Sequence, residues 1–522
     1  MVRILLCNHA RSEGEGGWSA RWTFPVIRPH FLPTLVASCP WTSAAAVEEL
    51  HEVIRQCPLI APLDALPLLE CADAVVRHYA VQCLEGATEN ILCDISLQLV
   101  QAMKLDRSSD STLSRFILRQ AAKYPIFSGA IFWRLYSEVA HNNTLQVGFV
   151  LAVLLRVAPS GDKMLSLTAM SHLSRLAQMI TEKFKKKDER TNALRSAVSD
   201  PSLLPAEFSL PLLREDNGVG VIVPEKCRVM GSKQAPLWLT FRGMPSRSEG
   251  TGIDSAVQIL LKRGDDLRQD TLTLAMLTII DRLWKLEGLD LLVTPYDVIS
   301  TGNEVGVVEV VGNAATFAQI VAETGGAGGW KAARKLWEKD VMVQWLKRQN
   351  PRPTDYLGAT EVFLRSCAGA SVFTYVMGIG DRHNDNIMLC EDGRVVHIDF
   401  GHILGNYKSK LGIKRERTPF IFTPHMAEVI GASGRKRFED TCSRAYNIMR
   451  RHAALIVSLI RLMIPAGLPE LRCESDVDIV IERLRLDVDD EEAGIFFAKL
   501  IDVAEKCKTT QFNDAAHLIK HY

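Results

Sequence analysis

The chain has 522 residues, 47% of them hydrophobic and 23% charged, more than a single core usually organises, so two or three folding units are expected. Sixty-one basic residues balance 61 acidic ones, which argues against wholesale electrostatic binding to nucleic acid or membrane and confines any basic surface to a local patch. The 12 cysteines include no CxxC pair, so neither a zinc module nor a disulfide framework is indicated, and a cytoplasmic chain with reduced thiols is expected.

Residues 1–30 carry no pattern, and no apolar stretch reaches membrane-spanning length. From residue 31 to about 195, apolar residues recur at spacings of three and four, which predicts an all-α helical-repeat domain. LLECADAVVRHYAVQCLEGA (68–87) and DISLQLVQAMKL (94–105) each read as one helix, followed by STLSRFILRQAAKY (111–124) and SGAIFWRLYSEVA (128–140). KFKKKDER, Lys183 to Arg190, reads as a solvated helix end. Near Pro201 the texture changes to prolines, glycines and short β-branched runs. Strands are expected at CRVM, PLWLTF, AVQILLKRG and GVVEVV, with one helix at DTLTLAMLTIIDRLWKL. Helices return after about residue 313, interrupted by GGAGG, Gly325 to Gly329, read as a loop. The expected divisions are 1–30, 31–195, 196–313 and 314–522.

Two segments of the last part carry chemistry. GIGDRHNDNIML (378–389) places Asn386 five residues after Asp381, the spacing of a kinase catalytic loop, with the histidine moved to the far side of the aspartate at His383. VVHIDFG follows, with Asp399 as the acid of an Asp-Phe-Gly. A neutral amide oxygen from Asn386 and a carboxylate from Asp399 are hard ligands suited to magnesium. Either residue alone could be a turn former, but the DxHxxN…DFG constellation argues against that. His383 can take or hold a proton near neutral pH; His397 reads as packing, and His402 is left open. Lys262, at the end of AVQILL, can reach phosphate from a strand, with Asp270 placed to orient it. RVMGSKQAP (228–236) offers a turn with Ser232 and Lys233 for phosphate contacts. The fold class is therefore α+β: the helical domain, then a bilobal kinase-like catalytic domain with a β-rich N-lobe and an α-rich C-lobe.

KCRVMGSKQAPLWLTF, ILLKRGDDLRQD, GIGDRHNDNIM and HIDFGHILGNYKSKLGIKRERTPFIFTP resemble the phosphoinositide 3-kinase catalytic domain of class I type, and VRHYAVQCLE with SRFILRQAAKYPIFSGAIFWRLYSE resembles the family's helical domain. The resemblance spans roughly residues 31–520. It implies an ATP- and magnesium-dependent lipid kinase acting on the inositol 3-hydroxyl. Lys262 would contact ATP phosphate, Ser232 and Lys233 would form the phosphate loop, and Trp238 would shelter the nucleotide's edge. Asp270 and Tyr296 would line the inner pocket. Glu309 and Val311 would offer backbone hydrogen bonds to adenine, with Met388 and Ile398 beneath the ring. Asn386 and Asp399 would hold magnesium, and Asp381 and His383 would share the proton and charge work.

Lys408, Lys410, Lys414, Arg415 and Arg417 crowd the segment after Asp399 with only Glu416 opposing them. A charge run is usually a solvated face, but here an acceptor must approach the transferred phosphate. By resemblance this array fits phosphatidylinositol 4,5-bisphosphate better than unphosphorylated phosphatidylinositol. A weakly active lipid-binding scaffold and a protein kinase are the competing readings; the five intact residues Lys262, Asp381, His383, Asn386 and Asp399 oppose the first and the basic loop opposes the second. The resemblance implies partners at a membrane surface, leaves a regulatory subunit open and gives no role to nucleic acid. Two departures weaken parts of it: Gln234 stands where class I members often have a cation, and Asp514 stands at the tryptophan position of a membrane-inserting terminal helix. The 30 residues ahead of the helical half are too few for the family's usual adaptor-binding, Ras-binding and lipid-binding domains, so no contact of those kinds is inferred.

Overall fold

The computed structural model describes residues 32–142, 144–158, 161–213, 218–232, 234–243, 256–325, 338–407, 409–410, 413–414 and 418–507. The expected irregular start, Gly326 to Gly329 of the glycine insert, and the terminal segment with Asp514 lie outside them.

Helices fill the first part, from Leu32–Ser38 to Lys187–Val198. Their boundaries differ from the periodicity in two places, for local reasons. The stretch 68–87 does not continue through Asp73, because that carboxylate accepts from the N–H groups of Val75 and Val76 at 2.9 and 3.1 Å. It thereby starts a new helix, Ala74–Leu84, a cap worth about 1 kcal/mol. The stretch 94–105 divides at Ile95 into Glu89–Asp94 and Ser96–Met103. The helix expected from Ser128 begins earlier, at Pro125; Glu89 accepts from the N–H groups of Ile126 and Phe127 at 2.7 and 3.1 Å. A side chain 37 residues away in sequence thus satisfies that helix's orphan donors. The Lys183–Arg190 run spans the junction between helices Gly161–Lys183 and Lys187–Val198 and is largely exposed.

The middle part is a seven-stranded antiparallel sheet built from β1 (Phe208–Ser209), β2 (Gly218–Ile222), β3 (Arg228–Val229), β4 (Leu237–Gly243), β5 (Ala256–Arg263), β6 (Val298–Gly302) and β7 (Val305–Glu309). Its order is β1-β2-β4-β5-β7-β6, with β3 pairing to β4. In β5, Val257, Ile259 and Leu261 are buried and alternate with more exposed neighbours, as a one-sided strand requires. The long helix Arg268–Leu286 buries residues all round, from Leu272 to Trp284, because it is covered by β6, by the C-terminal helices and by the helical part at once. Arg282 of this helix reaches Asp94 through Nε at 2.9 Å, and helix Pro125–Asn142 packs on β6.

The last part contains β8 (Ala314–Thr316), β9 (Ile387–Cys390) and β10 (Val395–His397), in the order β10-β9-β8, and β11 (Ser409–Lys410) paired with β12 (Ile413–Lys414). Three long helices, Pro353–Val376, Pro424–Arg451 and Asp490–Glu505, pack against one another. Tyr375, Phe420, Tyr446 and Phe497 interlock among them, with Phe420 stacked on Phe497 at 5.5 Å. Among the described residues no helix is long and apolar enough to cross a membrane.

Candidate active site

The site is built outward from the end of helix Pro353–Val376. Gly378 sits just past that end with φ +64°. Its N–H bonds to Tyr375 O at 3.2 Å while the Ile379 N–H bonds to Thr374 O at 3.0 Å, the paired bonds of a Schellman stop. A Cβ at Gly378 would lie 2.5 Å from Gly405 N, so the position must be glycine both for its conformation and for the close approach of the second loop.

From there the chain runs through Asp381 and His383 to Asn386, then turns into the β9–β10 hairpin. His397 pairs with Ile387, and the Ile398 N–H donates to Asn386 O at 3.0 Å. This register sets Asn386 opposite Ile398, one residue before Asp399. Pleat alternation also places Asn386, Met388 and Ile398 on one face, while Ile387 and Leu389 are fully buried on the other. Met388 and Ile398 are half-buried, as a floor lining a cleft would be.

Three backbone bonds then join the two loops: Leu404 N to Met377 O at 3.0 Å, Gly405 N to Gly378 O at 2.9 Å and Gly380 N to His402 O at 2.9 Å. Arg382 staples them from inside. Its guanidinium donates to Gly380 O at 2.9 Å, to Ile398 O at 2.7 Å and to Asp399 O. The cation is buried, and burial holds its pKa below the usual range although Asp399, Tyr296, Asp381 and Asp270 all favour its charge. Asp381 and Asp399 both take positive φ, 54° and 61°, a conformation that costs L-residues about 1–2 kcal/mol each. The staple and the backbone bonds hold that strain in place.

Asn386 Nδ2 donates to Asp381 O at 2.9 Å, which leaves Oδ1 available as an acceptor; Asp399 is exposed. Among the described residues no group of three or more His, Cys, Asp or Glu side chains could hold a metal alone. One amide oxygen and one carboxylate still fit magnesium, which keeps water and phosphate oxygens in its shell and is rarely caged by protein alone. His383 Nδ1 accepts from the Asp385 N–H at 3.3 Å, so the neutral ring carries its proton on Nε2.

Above these loops, Lys262 on β5 lies 3.6 Å from Asp265. Burial opposes its charge, but Asp399, Asp270 and Asp265 outweigh burial and hold the ammonium above its ordinary range. The fields of Asp399 and Asp270 thus bring Lys262 into the same electrostatic cluster as the Asp399 loop. Asp270 accepts from the Phe400 N–H at 2.8 Å, and burial raises its carboxyl to about 6 despite Lys262 and that bond. Tyr296 is buried beside Asp399, Asp270 and Arg382, and burial keeps its phenol far above the usual range. His397 lies beneath, its imidazole pushed down to about 3 by burial and then by Arg382, so it packs as a neutral ring.

Residues 256–473 match the phosphatidylinositol 3- and 4-kinase family. Residues 10–167 match the accessory (PIK) domain of the phosphoinositide 3-kinase family. The chain thus carries the accessory domain of the phosphoinositide 3-kinase family followed by a phosphatidylinositol 3- and 4-kinase catalytic domain. Among curated relatives, phosphatidylinositol 3-kinase 1 of Dictyostelium discoideum is 38% identical over 509 residues, 97% of this chain and 32% of the relative. Phosphatidylinositol 3-kinase 3 of the same organism is 38% identical over 517 residues, 97% of this chain and 29% of the relative. Phosphatidylinositol 3-kinase 2 is 37% identical over 499 residues, 94% and 26% respectively. The chain therefore spans about a third or less of the length of these kinases.

Within that family frame, the remaining expected residues are placed as follows. Trp238 on β4 pairs with Leu260 of β5, and the Arg228 guanidinium lies 4.1 Å from its ring centre. The turn after β3 closes through Met230 N to Pro236 O at 2.9 Å and Ala235 N to Ser232 O at 3.0 Å, with Ser232 exposed. Lys233 lies outside the described residues. Glu309 ends β7; its N–H is committed to Asp297 O at 2.8 Å and its Oε2 accepts from the Asp297 N–H at 3.0 Å. Val311 follows β7 outside the ladder. Lys408, Arg415 and Arg417 lie outside the described residues, as do the side chains of Lys410 and Lys414, whose backbones belong to β11 and β12.

Sequence reasoning missed Arg382, Gln269 and Glu470. Arg382 stands inside the recognised motif, and its depth was the missing signal. Glu470 is 68 residues from its partner His402, and no local pattern announces it.

Proposed function

We propose that this chain transfers the γ-phosphoryl group of ATP to the inositol 3-hydroxyl of a phosphoinositide, with phosphatidylinositol 4,5-bisphosphate the preferred acceptor. The observation that carries the reading is the junction of the two loops, which brings Asn386 and Asp399 to adjoining ends of the β9–β10 hairpin with Asp381 and His383 alongside and Lys262 above.

Asn386 and Asp399 would hold magnesium, which when bound supplies charge neutralisation on the phosphates. Lys262, kept cationic by three carboxylates, binds phosphate oxygen. Met388 and Ile398 form an apolar floor beneath the nucleotide base. The acceptor hydroxyl's proton passes to the Asp381 carboxylate, and His383 donates its Nε2–H to the charge that develops on the transferred group. The Asp385 N–H on His383 Nδ1 supports this division. Lys408, Lys410, Lys414, Arg415 and Arg417 meet the headgroup phosphates and an anionic membrane, each cation contributing about 1 kcal/mol near such a surface. The enzyme is recruited peripherally, with the helical part over 31–195 and lobes over 196–313 and 314–522 as its working units.

Phosphate transfer from labelled ATP with magnesium to vesicles carrying phosphatidylinositol, its 4-phosphate or its 4,5-bisphosphate tests this. A 3-phosphorylated product formed fastest from the bisphosphate is expected. Product from phosphatidylinositol alone would overturn the acceptor, and no product from any lipid would overturn the kinase.

A further inference from the structure

Beyond the loop junction, the metal loop has a second support that none of the motifs contains. After the 3-10 turn Ile464–Ala466 and the left-handed Gly467, the chain brings Glu470 against residues 401–403. Glu470 Oε1 lies 2.7 Å from His402 Nδ1, and Oε2 accepts from the Ile403 N–H at 2.6 Å. Its own N–H donates to Gln269 Oε1 at 2.9 Å, and Gln269 Nε2 donates to Gly401 O at 3.1 Å. These four contacts close a ring around the two residues that follow Phe400. Because a carboxylate only accepts, His402 must carry its neutral-form proton on Nδ1, leaving Nε2 as the ring's open nitrogen.

The turn that precedes Glu470 is itself fixed from two sides. Lys104 Nζ and Asn142 Nδ2 of the helical part donate to Pro465 O and Ala466 O at 3.1 and 3.2 Å, while Arg268 donates to Ala466 O at 2.9 Å. Glu138 holds both Lys104 and Asn142. A half-buried carboxylate just past a clamped turn, gripping a strained loop at two points, is how a supporting shell pre-organises a metal ligand.

We propose that Glu470 is a positioning residue that holds the Asp399 loop in its magnesium-accepting geometry. The inference rests on the reading of Asn386 and Asp399 as the metal site. In the full chain, binding of a fluorescent ATP analogue is titrated with magnesium, without lipid, for wild type, Glu470→Gln and Glu470→Ala. The half-saturating magnesium concentration should rise about 10- to 100-fold in both variants, with binding of the metal-free analogue changed less than about threefold. Glu470→Gln keeps the shape and the acceptor for Ile403, so it guards against a loss that is only misfolding. It presents an amide donor to His402, and the imidazole 15N shifts should report a switch from the Nδ1–H to the Nε2–H form. An unchanged magnesium requirement in Glu470→Gln, or an equal loss of metal-free binding, overturns the proposal. A wild-type chain that binds the analogue with no magnesium dependence overturns the metal site and this inference together.

Discussion

Asp270 is held in the structure at a cost, and replacing it with asparagine should separate stability from activity. Its side chain is buried, accepts from the Phe400 N–H at 2.8 Å, and has its carboxyl raised from 3.8 to about 6, burial being the first cause and Lys262 the main opposing one. A raised carboxyl contributes stability that is fully present below about pH 4 and is lost as pH rises through about 6. The difference of about 2.2 pKa units, from about 6 less 3.8, corresponds to about 3 kcal/mol at pH 7. An asparagine side chain in its place would keep the acceptor for Phe400 without the buried charge, at the expense of about 1 kcal/mol for an amide group lacking a partner. Asp270→Asn should therefore be about 1–2 kcal/mol more stable than wild type at pH 7 and no more stable at pH 4. Urea unfolding followed by tryptophan fluorescence across that range measures the difference. Phosphate transfer should fall by about tenfold or more, because Lys262 loses one of the carboxylates that hold it cationic. A variant less stable at pH 7, or a gain that does not vary with pH, would refute the reasoning.

Asp399→Asn should lower transfer by about a thousandfold, equivalent to about 4 kcal/mol of charge stabilisation, while thermal unfolding stays near wild type because Asp399 is exposed; retained turnover in a magnesium-supported assay would remove it from the metal site. Gly378→Ala should destabilise by about 3 kcal/mol or more, since its Cβ would meet Gly405 N at 2.5 Å in a left-handed conformation, measurable by denaturant midpoint. Replacing Lys414 and Arg415 together with alanine should cost about 2 kcal/mol, roughly 30-fold, on the bisphosphate and much less on phosphatidylinositol; equal losses on both lipids would separate the loop from headgroup recognition.

The order of a helical part, a strand-rich part and a helix-rich part was legible from residue spacing alone. Apolar spacing reports which face of each element meets a core, and that is a local property. The candidate catalytic loop, the proposed metal-ligand pair and the family resemblance were legible there too, since the chemistry demands those residue types at short spacings. Tertiary structure decided what those residues rest on. Glu89 capping Pro125–Asn142, Arg382 joining carbonyls from two loops, and Asp270 reaching Phe400 all link positions whose separation carries no period. The same holds for Glu470 and His402, which meet just past a turn at Ile464–Ala466 held by the helical part and by Arg268. Such contacts satisfy buried polar groups wherever folding happens to leave them, so they can be read only once the chain is folded.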